Sequence, residues 1–487
     1  MPNANPTINL ALDTINIGKQ ALVFTNTKRS AEKTAEDISK EIKSGSKELD
    51  ELSEKILHTL ASPTKQCERL AFCIRKGIAY HHAGLVHKQK ELIEESFRNG
   101  LIKVICCTPT LAYGVDLPAF RAILKDLRRY GHRGMHWIPT LEYLQMCGRA
   151  GRPNYDSHGE AIAIAATDAA KREITERYIN GESEEVYSKL AVEPVLRTYL
   201  LSLISSGFVK SKKEILDFFE KTFWAHQFED MARLEKIISK MLKLLKEFKF
   251  IQGNHKEYKA TLIGKRVAQL YIDPLTAHHL ISCLENAGSK VKIFSFLQMI
   301  SHTLEMRPLL RMRTKEYDDI QDFLLKYESY MLEKEPSMYE PEYESYLNSV
   351  KTAMFFNDWV DEINESELLE KYNIRPGETR IKLSIGDWLL YASEELARML
   401  KKKDLLRELM KTRIRLKNGV KEELLPLLKL REVGRVRARK LFRNRIKDIG
   451  DVKKADIMKL GSIVGKKTAA KIKEQVGQKV SESLNKY

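Results

Sequence analysis

The chain has 487 residues, of which 43% are hydrophobic and 31% are charged, and its formal net charge is +17. This length predicts several folded domains, and the mixture of apolar residues with both charge signs excludes an intrinsically disordered chain. No apolar run approaches the roughly 20 residues that cross a bilayer, and the N-terminus has no secretory signal, so we expect a protein without a membrane span. The six cysteines lack paired or metal-ligand spacing, which predicts reduced thiols and no metal centre.

Residues 1–180 show the alternation that is typical of an α/β domain. Five short apolar runs predict buried strands, at residues 21–24, 78–80, 104–107, 122–124 and 161–165. Amphipathic segments such as 30–43 and 88–97 predict helices between them. Strands that alternate with helices form a parallel sheet with helices on both faces, and ligands bind beyond the carboxyl ends of its strands. Functional residues are therefore expected in the loops that follow these runs.

After residue 180 the patterns become mainly helical. Helices are predicted at 195–205, 212–219 and 228–248, and the segment 250–262 predicts a hairpin with Gly253 and Asn254 near its turn. Helices followed by a hairpin are the outline of a winged helix. The next part of the chain, to about residue 403, is almost wholly helical, with breaks at four prolines: Pro308, Pro336, Pro341 and Pro376.

Residues 404–487 form a basic terminal segment that contains an internal repeat. It has 24 Lys and Arg against 10 Asp and Glu, and so carries a net charge of +14. Residues 433–438 (VGRVRA) are echoed by 464–469 (VGKKTA), which resembles a tandem helix-hairpin-helix whose glycine turns present N–H groups to phosphate. The candidate contacts are Arg435, Arg437, Arg439, Lys466 and Lys467. Charge alone predicts a nucleic-acid partner or a solvated lysine-rich surface equally well.

Four polar segments follow predicted strands or lie close to them, and one carries paired arginines. Residues 145–152 (QMCGRAGR) place Arg149 and Arg152 on one face of a helical turn, where planar guanidinium groups suit a polyphosphate. The other three segments are 108–119 (TPTLAYGVDLPA), 80–85 (YHHAGL) and 23–28 (VFTNTK). Because parallel strands end at one edge of the sheet, we expect these segments to form one site.

Taken in chain order, from 23–28 to 145–152, the four segments resemble motifs IV, IVa, V and VI of superfamily 2 helicases, and their residues are similar to those of the Ski-like branch. The segments 261–274 and 434–439 extend the resemblance to the archaeal DNA repair helicases of the Hjm type, which are related to the helicase part of DNA polymerase theta. The resemblance covers essentially the whole chain. It implies four domains: a second RecA-like lobe at 1–180, a winged helix at 181–262, a helical ratchet domain at 263–403 and a basic helix-hairpin-helix domain at 404–487.

The resemblance also implies roles for single residues. Arg149 and Arg152 would act at the γ-phosphate of ATP, with Arg152 as the arginine finger and Gln145 at the start of the motif. Gly114 and Asp116 would couple the nucleotide state to the grip on DNA. The residues implied to contact DNA in the motif loops are His82, Gly84, Thr108 and Thr110.

Two further DNA contacts are expected outside those loops. Residues 125–139 are basic and aromatic around two glycines, which suits a strand-separating β-hairpin that carries Arg128, Arg129, Tyr130 and Trp137. Trp388 matches the aromatic that the family stacks on a DNA base in its ratchet. At the position where the family has a basic residue on that helix, this chain has Ile381.

As a whole, the resemblance implies an ATP-dependent 3′–5′ DNA helicase for repair or stalled-fork processing, using ATP and Mg²⁺. Its implied partners are single-stranded and forked DNA and single-strand-binding or recombination proteins, in a prokaryotic cytoplasm near the nucleoid. The sequence contains neither a P-loop nor an Asp-Glu-x-His box. We therefore expect the first motor lobe to be missing, through fragmentation, a split gene or truncation, and the chain alone to be inactive. A non-catalytic nucleic-acid-binding module and an RNA helicase of the same branch stay open as alternatives.

Overall fold

A computed structural model describes residues 3–43, 45–60, 62–113, 115–131, 134–152, 156–190, 192–288 and 291–478. The chain divides into two compact units. The first joins Met1–Val186 with Asn364–Arg380, and the second joins Tyr187–Ile363 with Ile381–Tyr487. We call Asn364–Arg380 the returning segment, because it rejoins the first unit from far along the chain. The division into four domains stays a prediction.

The first unit contains the strands β1 (Ala21–Phe24), β2 (Ile78–His81), β3 (Val104–Cys107), β4 (Arg121–Leu124), β5 (Arg128–Gly131), β6 (Gly134–Trp137) and β7 (Glu160–Ala163). Five of them form a sheet in the order β2-β3-β1-β4-β7, in which all neighbouring strands are parallel. Strands β5 and β6 form a separate antiparallel hairpin. The predicted parallel sheet is confirmed, and β1 and β3 have the predicted bounds because every residue of these runs is buried.

Seven helices of the first unit are α1 (Pro6–Asn16), α2 (Lys28–Glu41), α3 (Lys47–Leu57), α4 (Lys65–Ile74), α5 (His87–Arg98), α6 (Thr140–Cys147) and α7 (Asp168–Ile174), the last followed by a π-helical turn, Thr175–Ile179. Helix α2 begins where it does because the Thr27 hydroxyl accepts a hydrogen bond from the Ser30 N–H at 3.0 Å. Helices α1, α2, α4, α5 and α6 pack on the sheet, and their apolar sides form one core with the strands.

The remaining elements follow in chain order. They are α8 (Glu193–Ser205), α9 (Lys212–Glu220), α10 (Phe223–Phe228), α11 (Met231–Glu247), β8 (Ile251–Asn254), β9 (Glu257–Ala260), α12 (Leu262–Leu270), α13 (Pro274–Asn286), α14 (Ile293–Ser301), α15 (Tyr317–Tyr327), α16 (Tyr343–Val360), α17 (Glu365–Tyr372), α18 (Pro376–Met399), α19 (Lys403–Asn418), α20 (Arg435–Arg443), α21 (Ile449–Lys454), α22 (Ile457–Val464) and α23 (Lys466–Gln475). Helix α17 and the first turn of α18 lie in the returning segment.

Of two local predictions in this part of the chain, one needs correction and one is confirmed. The helix predicted at 228–248 is interrupted, because Glu229 adopts a left-handed conformation with φ of 51° and Asp230 then caps α11 by accepting from the Arg233 N–H. Apolar periodicity runs through this break, so the pattern does not reveal it. The hairpin predicted at 250–262 is confirmed as β8 and β9, and Gly253 and Asn254 form the last two pairs of the ladder before its turn, as predicted.

The basic C-terminal segment has a hydrophobic core of its own, formed by residues from Val420 to Ile472. In its second repeat, α22 and α23 meet at Gly465, whose φ of 91° suits a residue without a Cβ. In its first repeat two 3-10 turns, Glu422–Leu424 and Leu427–Lys429, precede α20 in place of a full α-helix. The two predicted repeats therefore differ, and the second has the full helix-turn-helix geometry.

Candidate nucleic-acid interface

Loops that follow three parallel strands surround an open cavity at the carboxyl edge of the sheet. Its volume is about 640 Å³. The wall includes Lys28 after β1, Ala83 after β2, Thr108 and Thr110 after β3, Arg129 of the hairpin, and Arg375 of the returning segment. Three of the four predicted motif segments thus meet at one polar space, together with two elements that the motifs did not include.

The segment after β3 presents hydroxyl groups to this cavity. Thr108 is buried at the end of the strand, and its Oγ1 lies 2.9 Å from Oγ1 of Thr110, which is exposed. Thr110 lies within the 3-10 turn Pro109–Ala112, which is anchored by the buried side chain of Leu111. Gly114 lies outside the described residues. Asp116 is almost fully exposed, and its carboxylate is 4.0 Å from Nη1 of Arg149.

The loop after β2 is held from inside by His82. Its ring is fully buried, Nδ1 accepts a hydrogen bond from the Gly84 N–H at 3.1 Å, and Nε2 therefore donates to Glu32 at 3.1 Å. Burial lowers the pKa of His82, although the neighbouring carboxylate opposes this. Because the ring has no exposed surface, the predicted direct contact of the His82 side chain with DNA does not fit the structure, and the ring instead holds its own loop. A Cβ on Gly84 would lie 2.3 Å from Cδ of Arg375, so the glycine makes room for that arginine.

Buried Glu32 of α2 collects donors from three parts of the first unit. Its carboxylate accepts from Arg69 at 2.8 Å, from His82 at 3.1 Å, and from Nε of Arg375 at 2.9 Å. Burial alone would raise the pKa of this carboxyl, but the hydrogen bonds from His82 and Arg375 outweigh it and lower the pKa to about 2. Glu32 therefore stays ionised and ties the returning segment to the loop after β2.

Arg149 lies just after α6, where the backbone is hydrogen-bonded to the segment that follows β3. The Ala119 N–H donates to the carbonyl oxygen of Arg149 at 2.9 Å, and the Gly151 N–H donates to that of Ala119 at 2.7 Å. The guanidinium of Arg149 donates to the carbonyl oxygen of Ala112 at 2.5 Å. The Oε1 of Gln145, one turn earlier, is buried and has no hydrogen-bond partner among the described residues. The paired-arginine segment and the segment after β3 thus form one connected structure.

Arg152 is engaged by a carboxylate. Its Nε and Nη2 donate to the two carboxylate oxygens of Asp156 at 2.8 and 3.2 Å, and Nη1 donates to Gln20 at 2.8 Å. Hydrogen bonds from Arg152 and Lys19 lower the pKa of Asp156 to about 2. To serve as the predicted arginine finger, Arg152 has to exchange this carboxylate for a phosphate.

The predicted hairpin is present as the β5–β6 pair, in which Arg128 lies opposite Trp137. The Arg128 guanidinium lies 4.0 Å from the centroid of the Trp137 ring, whose Nε1 donates to Glu173. Arg129 is bound to Glu142 of α6 by two hydrogen bonds, at 2.9 and 3.1 Å. Tyr130, in contrast, is 82% exposed. Trp137 and Arg129 therefore anchor the hairpin base, and Tyr130 is the aromatic that is open to a ligand.

Comparisons with known proteins show which family this chain resembles. Three family models match the chain: a helicase conserved C-terminal domain at residues 53–154, a helix-turn-helix domain at 159–252, and domain 4 of archaeal helicases at 294–419. The ATP-dependent DNA helicase Hel308 of Methanococcus vannielii is 35% identical over 98% of this chain and 68% of its own length. The chain belongs to the Hel308 family.

Other Hel308 proteins agree with this assignment. That of Pyrococcus horikoshii is 38% identical over 98% of this chain and 65% of its own length, and that of Methanocella arvoryzae is 37% identical over 97% and 65%. The chain thus spans about two thirds of the length of the relatives it matches. Within the described residues, no helix is long and apolar enough to cross a bilayer, and no group of three or more His, Cys, Asp or Glu side chains is arranged to hold a metal.

The predicted stacking residue Trp388 lies on α18 in the second unit. It is partly buried, and its Nε1 donates to the carbonyl oxygen of Leu270 at 3.0 Å. One edge of the indole is therefore fixed, while part of the ring is accessible. Near the start of that helix, Ile381 is exposed and Lys382 is buried, with its ammonium 2.8 Å from the carbonyl oxygen of Pro308. Neither residue offers a free cation beside Trp388.

The basic residues of the terminal segment fall into two groups. Arg439 donates to both carboxylate oxygens of Glu362 at 2.7 Å, and Arg435 lies 4.6 Å from the Trp359 ring centroid and donates to the carbonyl oxygen of Ile363. These two arginines fasten α20 to the helical part of the same unit. Arg437 donates to the carbonyl oxygen of Glu432, and the remaining two candidates, Lys466 and Lys467, are exposed at the start of α23.

Some residues of the site were not predicted. Asn26 and Lys28 lie in a segment that the motifs singled out, but they were not assigned a contact. Glu142 lies in α6, which ends at Cys147 before the two arginines of the motif, and only the fold shows it beside the hairpin. Asn373 and Arg375 carry no local motif, because their position at the cavity depends on the returning segment.

Proposed function

We propose that the chain is the C-terminal portion of an ATP-dependent helicase that moves 3′ to 5′ along DNA in repair or stalled-fork processing. The cavity at the sheet edge carries this proposal, because hydroxyl and cationic groups from several loops line one space. Such groups are the usual contacts of a nucleic-acid backbone. The relatives that match almost the whole chain are named ATP-dependent DNA helicases, which supports the same activity here.

In this proposal each part of the chain has a role. Residues 1–180 are the second RecA-like lobe of the motor, 181–262 a winged helix, 263–403 a ratchet domain and 404–487 a helix-hairpin-helix domain that holds DNA. The β5–β6 hairpin parts the strands with Tyr130 near its tip, and Trp388 stacks on bases of the translocating strand. Single-strand-binding or recombination proteins are the proposed partners, near the nucleoid of a prokaryotic cytoplasm.

The proposed nucleotide is ATP with Mg²⁺, and ATP supplies the free energy of translocation when it is bound. Arg149 and Arg152 are the residues of this chain that meet its γ-phosphate, since guanidinium groups suit the charge of a transferring phosphoryl group. Most contacts to ATP and Mg²⁺ come from a P-loop lobe outside this chain, so residues 1–487 alone hydrolyse no ATP.

Strand binding by the chain alone tests the central part of this proposal. We expect fluorescence anisotropy to show salt-dependent binding of single-stranded and forked DNA. A Thr108→Val, Thr110→Val double variant should bind about tenfold more weakly, because two hydroxyl hydrogen bonds are lost. Thr175→Val removes a hydroxyl from the surface of the π-helical turn and should leave binding unchanged. Equal binding by the double variant and the unchanged chain would contradict the role of the cavity.

Competition at fixed salt separates DNA from RNA as the substrate. The salt concentration has to be constant because phosphate contacts dominate affinity and are strongly salt-dependent. We expect DNA to compete more strongly than RNA of the same sequence. Tighter RNA binding would instead favour an RNA helicase of the same branch.

A further inference from the structure

Four cations line the cavity, and they are held differently. Arg29 is exposed and makes no ion pair with the described residues, whereas the other three contact carboxylates. Lys28 is paired with Glu378 of the returning segment, and Arg129 is held by both carboxylate oxygens of Glu142. Each of these charges is largely neutralised inside the site. Arg375, in contrast, uses only Nε for its carboxylate contact with Glu32.

Arg375 is fixed at the cavity but is not saturated there. Its two terminal nitrogens have no hydrogen-bond partner among the described residues, and its side chain is 17% exposed. The backbone around it is held closely, because the Gly377 N–H donates to the carbonyl oxygen of Gly84 at 3.0 Å. Two residues before Arg375, Asn373 ends α17 with φ of 54° and lines the same cavity. A fixed guanidinium with unused donors is well prepared to bind a phosphate.

We propose that Arg375, with the side chain of Asn373 beside it, binds a backbone phosphate of the strand that occupies the cavity. This inference rests on the proposed function as a DNA-binding motor lobe and adds a contact from outside the four motif segments. Glu32 acts as the positioning residue, since it orients the guanidinium through Nε and leaves the terminal nitrogens for the phosphate. Strand binding and docking of the returning segment are then linked through one side chain.

The salt dependence of strand binding tests this contact. Each phosphate contact to a single strand contributes about 0.7 to the slope of log affinity against log salt. Loss of one contact therefore weakens binding about fivefold at about 100 mM salt. We expect Arg375→Gln to lower the slope by about 0.7 and to weaken binding about fivefold. Arg375→Lys keeps the charge and should retain most of the slope, although it loses the planar fork.

The matched control is Lys65→Gln. Lys65 pairs with Glu370 at 2.5 Å, so this variant also removes one positive charge and one anchor of the returning segment, but at a site away from the cavity. It should keep the slope of the unchanged chain. An unchanged slope in Arg375→Gln, or an equal fall in Lys65→Gln, would overturn the assignment to Arg375 alone. Absence of salt-dependent strand binding by the unchanged chain would overturn the proposed function as well.

Discussion

Replacing Glu32 by Gln should release the returning segment from the first unit. The carboxylate is 4% exposed and accepts hydrogen bonds from His82, Arg69 and Arg375. Its pKa is lowered to about 2. Relative to an ordinary glutamate near pKa 4.3, at about 1.4 kcal/mol for each pKa unit, the folded chain favours the ionised form by about 3 kcal/mol. Loss of the charge also leaves the Arg375 guanidinium, whose side chain is only 17% exposed, without its carboxylate, which destabilises in the same direction.

Hydrogen exchange at neutral pH locates this effect. About 3 kcal/mol corresponds to roughly a hundredfold faster opening, so peptides from residues 364–380 and from the loop after β2 should exchange much faster in Glu32→Gln. Glu36→Gln removes the same charge from the same helix. Glu36 pairs with Arg69 nearer the surface, so its loss should cost less than about 1 kcal/mol.

The pH dependence of stability has a definite sign. Because the pKa of Glu32 is lower in the folded chain, its contribution to the free energy of unfolding is complete above the unfolded pKa of about 4.3. That contribution is lost as the pH falls toward about 2. We therefore expect the difference in free energy of unfolding between the unchanged chain and Glu32→Gln to become smaller as the pH falls across this interval. Urea unfolding followed by circular dichroism measures this difference. Unaltered exchange of residues 364–380 in Glu32→Gln, or an equal effect of Glu36→Gln, would refute the reasoning.

Three further predictions follow from packing and burial. A Cβ on Gly377 would lie 2.4 Å from the carbonyl oxygen of Leu85, so Gly377→Ala should cost about 1–3 kcal/mol in thermal unfolding. Burial raises the pKa of the thiols of Cys106 and Cys107, so a thiol reagent at about pH 8 should label them only after denaturation. Trp137→Ala removes the ring under a stacked guanidinium, so the β5–β6 hairpin should exchange faster than in Trp137→Phe, which keeps an aromatic face.

Much of the first unit was predictable from local pattern. Strands β1 and β3 are wholly buried, so continuous apolar runs identify them without reference to the rest of the fold. The break at Glu229 was not predictable in this way, because apolar residues keep helical spacing on both sides of it. A left-handed residue followed by a capping Asp230 interrupts the helix without changing that spacing.

The site shows the same division between local and long-range information. Parallel strands bring Thr108 and Thr110 to the edge where the sequence predicts them. The position of Arg375 depends on a contact with Glu32, and no pattern near either residue indicates that contact. The role of His82 is also decided by the fold, since burial converts a predicted ligand contact into internal support for its loop.

The C-terminal arginines show why net charge does not identify phosphate contacts. Arg435 and Arg439 belong to the most basic part of the sequence, yet they contact Trp359 and Glu362 within their own unit. A phosphate could recruit Arg439 only by displacing a carboxylate that already binds it at two points, so the free energy of that ion pair would oppose binding. Among the described residues no carboxylate pairs with Lys466 or Lys467 at the exposed start of α23, where the helix N-terminus adds its own attraction for an anion. The second repeat is therefore the stronger candidate for holding a phosphate, although the first carries more arginine.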